Sequence, residues 1–430
     1  MNSFTPLKTY QGLSINELKT LINGRDVYIW GCGHLGRILK RHFVKNGLAV
    51  KSFCDSNSKL NINYIDNVKV VNPKDIFNAV KLKQAFIIIA SAQYREEIED
   101  HCLCAGLVKK ENYLSYIHIS RPEVAIDVAG KCNLRCPSCP RGNTEKLRPE
   151  GYMTASIYRQ VLNKLLLELP LLMNIELYTW GEPFMNPELA EIIQMTEMVV
   201  PCTVATNLQF SDKLEDVIKA QPSQLIISAS GYEKTYENNH VGASWQTFFD
   251  NIHLLKKLIE KHNPKTQFAV LYHLYQNNQR QDLDNFRNLC TKLGLKLCTT
   301  WAYLNPFDKI LDYSEGRNIG MQAKNVLKIL PWDLNCSLEL SKIEAYKPCL
   351  CQRLFPIINW DLSVSLCHIY YNPIIANNFL DTPLDEILKL RHKQLQCEIC
   401  QKHGLHRLDI EILRKKYSTK SIFINNKKEI

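Results

Sequence analysis

Between Glu123 and Leu304, short apolar runs alternate with amphipathic segments, and this alternation restricts the region to a parallel α/β plan. The strand candidates are EVAIDVA from Glu123, NIELYTW from Asn174, CTVATN from Cys202, QLIISAS from Gln224, TQFAVLYHL from Thr266 and KLCTTWAYL from Lys296. Helix starts are marked between them by Thr154 before SIYRQVLNKLLLEL and Ser211 before DKLEDVIKA, because a side-chain oxygen there can accept from the first free N–H groups. Repeated βα units of this length close into all or part of a parallel barrel. Functional residues are then expected at the C-terminal ends of the strands.

Two other regions flank this one. Upstream, VYIW from Val27 runs into Gly31-Cys32-Gly33-His34-Leu35-Gly36 and then the helical RILKRHFVKNG, a strand, glycine turn and helix. AVKSFCD, ending at Asp55, and FIIIAS from Phe86 read as further strands of a small α/β domain. Gly31, Gly33, Gly36 and Asp55 together fit a dinucleotide fingerprint, in which a nucleotide or nucleotide-sugar would sit at the helix N-terminus. The competing reading is a scaffold or docking domain that binds nothing. Downstream of Asn305 the regular alternation stops, and a loop-rich segment follows with six cysteines from Cys336 to Cys400. The boundaries expected are residues 1–118, 119–304, 305–410 and a basic tail, 411–430.

With 430 residues, 45% of them apolar, the chain can support two or three cores. The N-terminal sequence has no basic stretch followed by an apolar core, and no run reaches the ~20 apolar residues that span a bilayer, so a cytoplasmic protein with no membrane partner is expected. Sixteen cysteines in such a compartment point to metal or chemistry before disulfides. Cys32, Cys54, Cys102, Cys104, Cys202, Cys290 and Cys298 lie in apolar or loop surroundings and read as structural. The formal charge of +10 is dispersed without an aromatic-interleaved basic stripe, which argues against nucleic acid and leaves an acidic or phosphorylated substrate open.

The first strand of the central region leads into Lys131-Cys132-Asn133-Leu134-Arg135-Cys136-Pro137-Ser138-Cys139-Pro140. No fourth Cys or His is nearby to complete a closed zinc site, whereas an iron–sulfur cube on three thiolates keeps one iron open. The Cys-x3-Cys-x2-Cys spacing resembles the cluster loop of the radical S-adenosylmethionine (SAM) superfamily, over roughly Glu123 to Leu304. The resemblance implies a [4Fe–4S] cluster on Cys132, Cys136 and Cys139. SAM would chelate its open iron and be cleaved reductively to a 5′-deoxyadenosyl radical that abstracts a substrate hydrogen. Ser138 stands where many members carry an aromatic residue.

The second strand ends in Tyr178-Thr179-Trp180-Gly181-Glu182-Pro183, which looks like the family's Gly-Gly-Glu motif with Trp180 in place of the first glycine. By that resemblance Glu182 receives the methionine ammonium and Gly181 permits close backbone approach. The third and fourth strands end at Asn207 and near Ser228, where the family tends to contact the SAM ribose and carboxylate. An arginine often found after the fourth strand is missing from YEKTYENNHVGASW.

Cys351, Cys367 and the pair Cys397/Cys400 suit a tetrahedral zinc or a second iron–sulfur cube. INWDLSVSLCHIYYN, a helix-like PLDEILKLRHKQL and the final Cys-x2-Cys resemble the shortened SPASM, or twitch, extension, which implies one auxiliary [4Fe–4S] cluster. Two departures are visible: Leu362 replaces a customary glycine, and no later SPASM cysteines follow Cys400. Cys349 could replace Cys351, and Cys336 is a spare. The N-terminal domain resembles small Rossmann-like domains fused to sugar-modifying enzymes. The expectation is thus an oxidoreductase-type radical enzyme acting on a sugar or nucleotide-sugar and served by a flavodoxin- or ferredoxin-type donor. The alternatives are a peptide-modifying relative and a zinc-stapled scaffold.

Overall fold

The computed structural model describes residues 12–57, 64–91, 94–120, 122–169, 171–347, 349, 355–409 and 413. The chain divides into two compact units, Gln11–Pro122 and Glu123–Ile430.

In the N-terminal unit the strands are β1 (Asp26–Trp30), β2 (Ser52–Cys54), β3 (Tyr64–Ile65), β4 (Val68–Val71), β5 (Ala85–Ile89) and β6 (Tyr113–Ser115). Their order is β3-β4-β2-β1-β5-β6, parallel throughout except for the β3–β4 pair. β5 is buried along its whole length and β1 on all but its first residue, as the inner strands of a sheet covered on both faces should be. The glycine turn lies between β1 and the helix His34–Lys45, at the C-terminal end of the sheet.

In the larger unit all six expected strands form: β7 (Glu123–Asp127), β8 (Asn174–Glu176), β9 (Cys202–Thr206), β10 (Gln224–Ala229), β11 (Gln267–Leu274) and β12 (Lys296–Trp301). Successive strands pair in parallel, each reached through at least one helix, and β12 does not return to β7, so the sheet is an open part-barrel. β10 shows the strand period plainly. Leu225, Ile227 and Ala229 are buried in the core, while Ser228, on the alternate face, is half-buried and lines a cavity. Thr154 caps its helix as expected, accepting from Ile157 N–H at 3.2 Å. Ser211 does not: the helix begins at Leu214, and only the Ser211 backbone carbonyl receives an N–H from it, at 3.1 Å.

The sheet continues past β7 into the C-terminal segment through β13 (Ile358–Asn359), β14 (Val364–Ser365) and β15 (Ile374–Ala376). Ile358 and Asn359 pair in parallel with Ile126 and Asp127, and β14 and β15 fold back antiparallel. The segment expected to be loop-rich also carries five helices among the described residues, Phe307–Ser314, Met321–Ile329, Leu334–Ile343, Leu384–His392 and Leu395–Lys402. No helix among the described residues is long and apolar enough to cross a membrane.

Candidate active site

β7 delivers the cysteine loop, which is wound by local hydrogen bonds and tied to the segment after β10 by one between distant residues. Cys139 N–H donates to the Cys136 carbonyl at 3.0 Å, Leu134 N–H reaches Cys132 Sγ at 3.4 Å, and Arg135 N–H donates to the Val241 carbonyl at 2.8 Å. Gly142 is required by this winding, since a Cβ there would lie 2.3 Å from the Cys136 carbonyl oxygen. Arg141, only 4% exposed, holds the base of the loop by donating to the Gly130 carbonyl and pairing with Glu150 at 3.1 Å. From the C-terminal segment Trp360 fits against Gly130 and Gly151, where added Cβ atoms would fall 2.0 and 2.3 Å from its ring.

Cys132, Cys136 and Cys139 share a cavity of about 380 Å³ with Gly181, Glu182, Asn207 and Ser228. The C-terminal ends of β7 to β10 thus bring together every residue that the sequence assigned to the cluster and to SAM. Gly181 passes so close to the β7 loop that a Cβ would meet the Ala129 carbonyl oxygen at 1.5 Å. Glu182 is 3% exposed; its oxygens accept from Phe184 N–H at 3.1 Å and Asn207 N–H at 2.8 Å. Burial pushes its carboxyl up to about 7 against these hydrogen bonds, and among the described residues no cation pairs with it. Asn207 in turn donates to Asn133 Oδ1 at 2.9 Å, tying β9 to the cysteine loop.

The donor set suits an iron–sulfur group. Burial raises the Cys132 thiol to about 12, the Cys139 thiol to about 11 and the Cys136 thiol well above its ordinary value. Such thiols ionise only when a metal supplies the compensating charge. Among the described residues no three His, Cys, Asp or Glu side chains converge to hold a single ion, but a four-iron cube puts each thiolate on its own iron and asks for no such convergence. His240 Nε2 and Trp180 Nε1, both on the cavity wall, are buried without hydrogen-bond partners, as a cavity built for an occupant leaves them.

His240, His273 and Tyr275 are among the lining residues not singled out in the sequence. His273 and Tyr275 lie at and just beyond the end of β11, where the strand-end rule could have found them. Tyr275 hydroxyl bonds the Ser138 hydroxyl, so the residue that departs from the family pattern is held by the fifth strand. His240 comes from the segment that lacks the arginine, and its Nδ1 lies 3.5 Å from Cys136 Sγ.

In the C-terminal segment, the Cys349 thiol acts on Cys367, Cys397 and Cys400, and Cys400 also feels Cys367 and Cys397. Burial is the main reason that Cys367 is raised to about 12 and Cys397 to about 11. Cys351 lies outside the described residues. Cys336 sits in the first turn of its helix, its N–H donating to Asp333 Oδ1 at 2.7 Å.

In the N-terminal unit, Gly31 (φ 109°) and Gly36 are packing requirements, with Cβ atoms that would meet Ala90 O at 2.7 Å and Gly31 O at 1.9 Å. Gly33 caps the helix and faces open space. Asp55 accepts from Cys32 Sγ at 3.2 Å and Asn57 N–H at 2.9 Å.

Residues 126–286 match the radical SAM superfamily and residues 23–111 match a domain described as C2185-like, N-terminal. No curated protein matches the chain in sequence. Among solved structures it is similar to native anSMEcpe with bound AdoMet (17% identity, 67% of this chain and 87% of that one, TM-score 0.44). It is also similar to Streptococcus suis SuiB bound to S-adenosylmethionine (14% identity, 78% and 88%, TM-score 0.44). A third is BtrN in complex with AdoMet and 2-DOIA (15% identity, 72% and 94%, TM-score 0.35). Residues 126–286, then, form a region that matches the radical SAM superfamily of enzymes.

Proposed function

We propose that the chain is a SAM-cleaving radical enzyme of oxidoreductase type, with a [4Fe–4S] cluster on Cys132, Cys136 and Cys139 and one electron at a time supplied by a flavodoxin- or ferredoxin-type donor. The observation that carries this reading is the single cavity lined by all three thiols and by the ends of β8, β9 and β10. In it Glu182 is a buried carboxyl suited to an ammonium, Gly181 lets the end of β8 pass against the β7 loop where a Cβ would strike the Ala129 carbonyl, and Asn207 and Ser228 offer neutral hydrogen-bonding groups. When bound and reduced, the cluster supplies the electron that cleaves SAM. The chain's own part is to hold the ligand against the open iron and keep the site dry.

An auxiliary [4Fe–4S] cluster on Cys367, Cys397 and Cys400 is part of the proposal, with Cys351 or Cys349 as fourth ligand; Cys351 lies outside the described residues, and the Cys349 thiol acts on the other three. A sugar or nucleotide-sugar is the favoured substrate class. The cavity wall beyond the cysteine loop presents Ser230, Asn239, Thr300, Trp301 and Tyr303, uncharged polar and aromatic groups of the kind that grip hydroxyls and ring faces, and no Lys or Arg among the described lining residues. Such a wall suits a reacting group without charge.

Anaerobic reconstitution followed by iron and sulfide analysis tests the cofactor content. About eight irons are expected, from two four-iron cubes. Dithionite and SAM should then yield 5′-deoxyadenosine. A colourless protein that retains zinc and leaves SAM intact would establish the scaffold alternative. Stimulation of SAM cleavage by a short peptide and by no nucleotide-sugar would establish the peptide alternative.

A further inference from the structure

The segment after β10, YEKTYENNHVGASW, offered no arginine to the site, but its histidine is built into it. Helix Lys234–Asn239 ends at His240, whose N–H donates to the Tyr236 carbonyl at 2.8 Å and whose ring lies against the Tyr236 ring with centroids 4.7 Å apart. Immediately after it, Val241 accepts from Arg135 N–H at 2.8 Å, and Gly242 (φ 96°) lies so close that a Cβ would be 3.2 Å from the Asn133 carbonyl oxygen. Residues 240–242 are thus clamped onto the cysteine loop, and the imidazole has little freedom to turn away.

The two ring nitrogens meet different surroundings. Nδ1 faces Cys136 Sγ at 3.5 Å, and Nε2, buried, has no hydrogen-bond partner among the described residues and belongs to a residue that lines the cavity. A metal-bound thiolate carries no proton and can only accept a hydrogen bond. With Cys136 on a cluster, a neutral ring that bonds this thiolate carries its proton on Nδ1, which leaves Nε2 as a lone-pair acceptor. An acceptor buried in a ligand cavity calls for a donor on the ligand.

We propose that His240 is a positioning residue with two faces: Nδ1–H donates to the Cys136 thiolate, and Nε2 accepts from a hydroxyl or N–H of the SAM molecule in the cavity. This rests on the assignment of the cluster to Cys132, Cys136 and Cys139. The first contact draws charge from a cluster sulfur and so raises the cluster's reduction potential. The second contributes to SAM affinity and to no other step.

The variants His240→Leu and His240→Asn separate the two faces, because an asparagine amide nitrogen reaches about as far as Nδ1 while nothing in it replaces Nε2. Both are reconstituted as holoprotein and matched for iron. The readouts are the midpoint potential, by redox titration with electron paramagnetic resonance, and SAM affinity, by calorimetry. His240→Leu is expected to lower the potential and to weaken SAM binding about tenfold, the scale of one hydrogen bond lost from a buried acceptor. His240→Asn should restore the potential and leave SAM binding weak. Parent-like potential and affinity in the fully loaded leucine variant would overturn the proposal, as would an asparagine variant whose potential stays at the leucine value. A parent protein that assembles no cluster at Cys132, Cys136 and Cys139 would instead overturn the assignment on which the proposal rests.

Discussion

Two strand–turn–helix elements in this molecule share one plan and finish it differently. After β1 the glycine turn closes on its own backbone. Gly31 and Gly36 are compelled by carbonyl groups of the same unit, and Asp55 is engaged by Cys32 and Asn57. After β7 the cysteine loop is wound as tightly, but the groups around it are left unfinished, with three half-buried thiols and, among the described residues, a carboxyl without a cation and two ring nitrogens without hydrogen-bond partners. The contrast shows that a fingerprint identifies a turn, while the unsatisfied groups around it identify an occupant.

The largest effect should come from removing the occupant's anchors. Cys132, Cys136 and Cys139 replaced together by Ala should abolish 5′-deoxyadenosine formation and leave about half of the iron, since only the auxiliary cube remains. Full iron with retained SAM cleavage would break the comparison at its root.

Next in size is Glu182→Gln, which keeps the shape and removes the charge. Charged hydrogen bonds contribute roughly 1.5–3 kcal/mol, so SAM affinity should fall about tenfold to a hundredfold at unchanged iron content. The pH dependence gives a second handle. With its pKa at about 7, the carboxyl holds a proton in slightly acidic solution, and an incoming ammonium must release it. Affinity should therefore climb from about pH 5.5 to about pH 7 in the parent and stay flat in the variant. The sign reverses for the fold without ligand: a carboxyl raised above its ordinary 4.5 loses stability as pH rises through about 7, so E182Q should flatten that decline in a urea titration.

Smaller effects are expected at the glycine turn. Gly36→Ala should cost about 1–3 kcal/mol, because its Cβ has only the Gly31 carbonyl to move. Gly33→Ala, facing open space at φ −71°, should leave the melting temperature unchanged. Calorimetry of the full chain with NAD and nucleotide-sugars completes the comparison. Saturable heat in the parent that Gly33→Ala abolishes would show that this turn too is built for a phosphate-bearing occupant.

How much of this was legible in the sequence depended on the length of each element and the sequence distance between its parts. β7 to β12 stand out because each is bounded by a helix and several show a strand period, and the cysteine triplet stands out because its members are adjacent. β13 and β14 are two residues long and carry no period at all. The fourth ligand of the C-terminal group, Cys351 or Cys349, was left open by spacing alone, and Cys351 lies outside the described residues. His240 was hidden for another reason: a single histidine in a loop carries no pattern, and only the clamp of Val241 and Gly242 on the cysteine loop shows where its ring points.

The pairing of β13 with β7 bears on how the enzyme could be dissected. A parallel sheet ends in strands whose outward N–H and C=O groups are unpaired, and such borders are adhesive. Here one border is covered by Ile358 and Asn359, with Phe355 N–H donating to Glu123 O at 3.0 Å, so the strand that bears the cysteine loop is an interior strand. A chain cut after residue 304 would convert it into a bare rim, offering the carbonyls and amides around Ile126 and Asp127 to any neighbouring chain. The C-terminal segment thereby covers an edge of the sheet, and the strand that bears the cysteine loop is held between two neighbours.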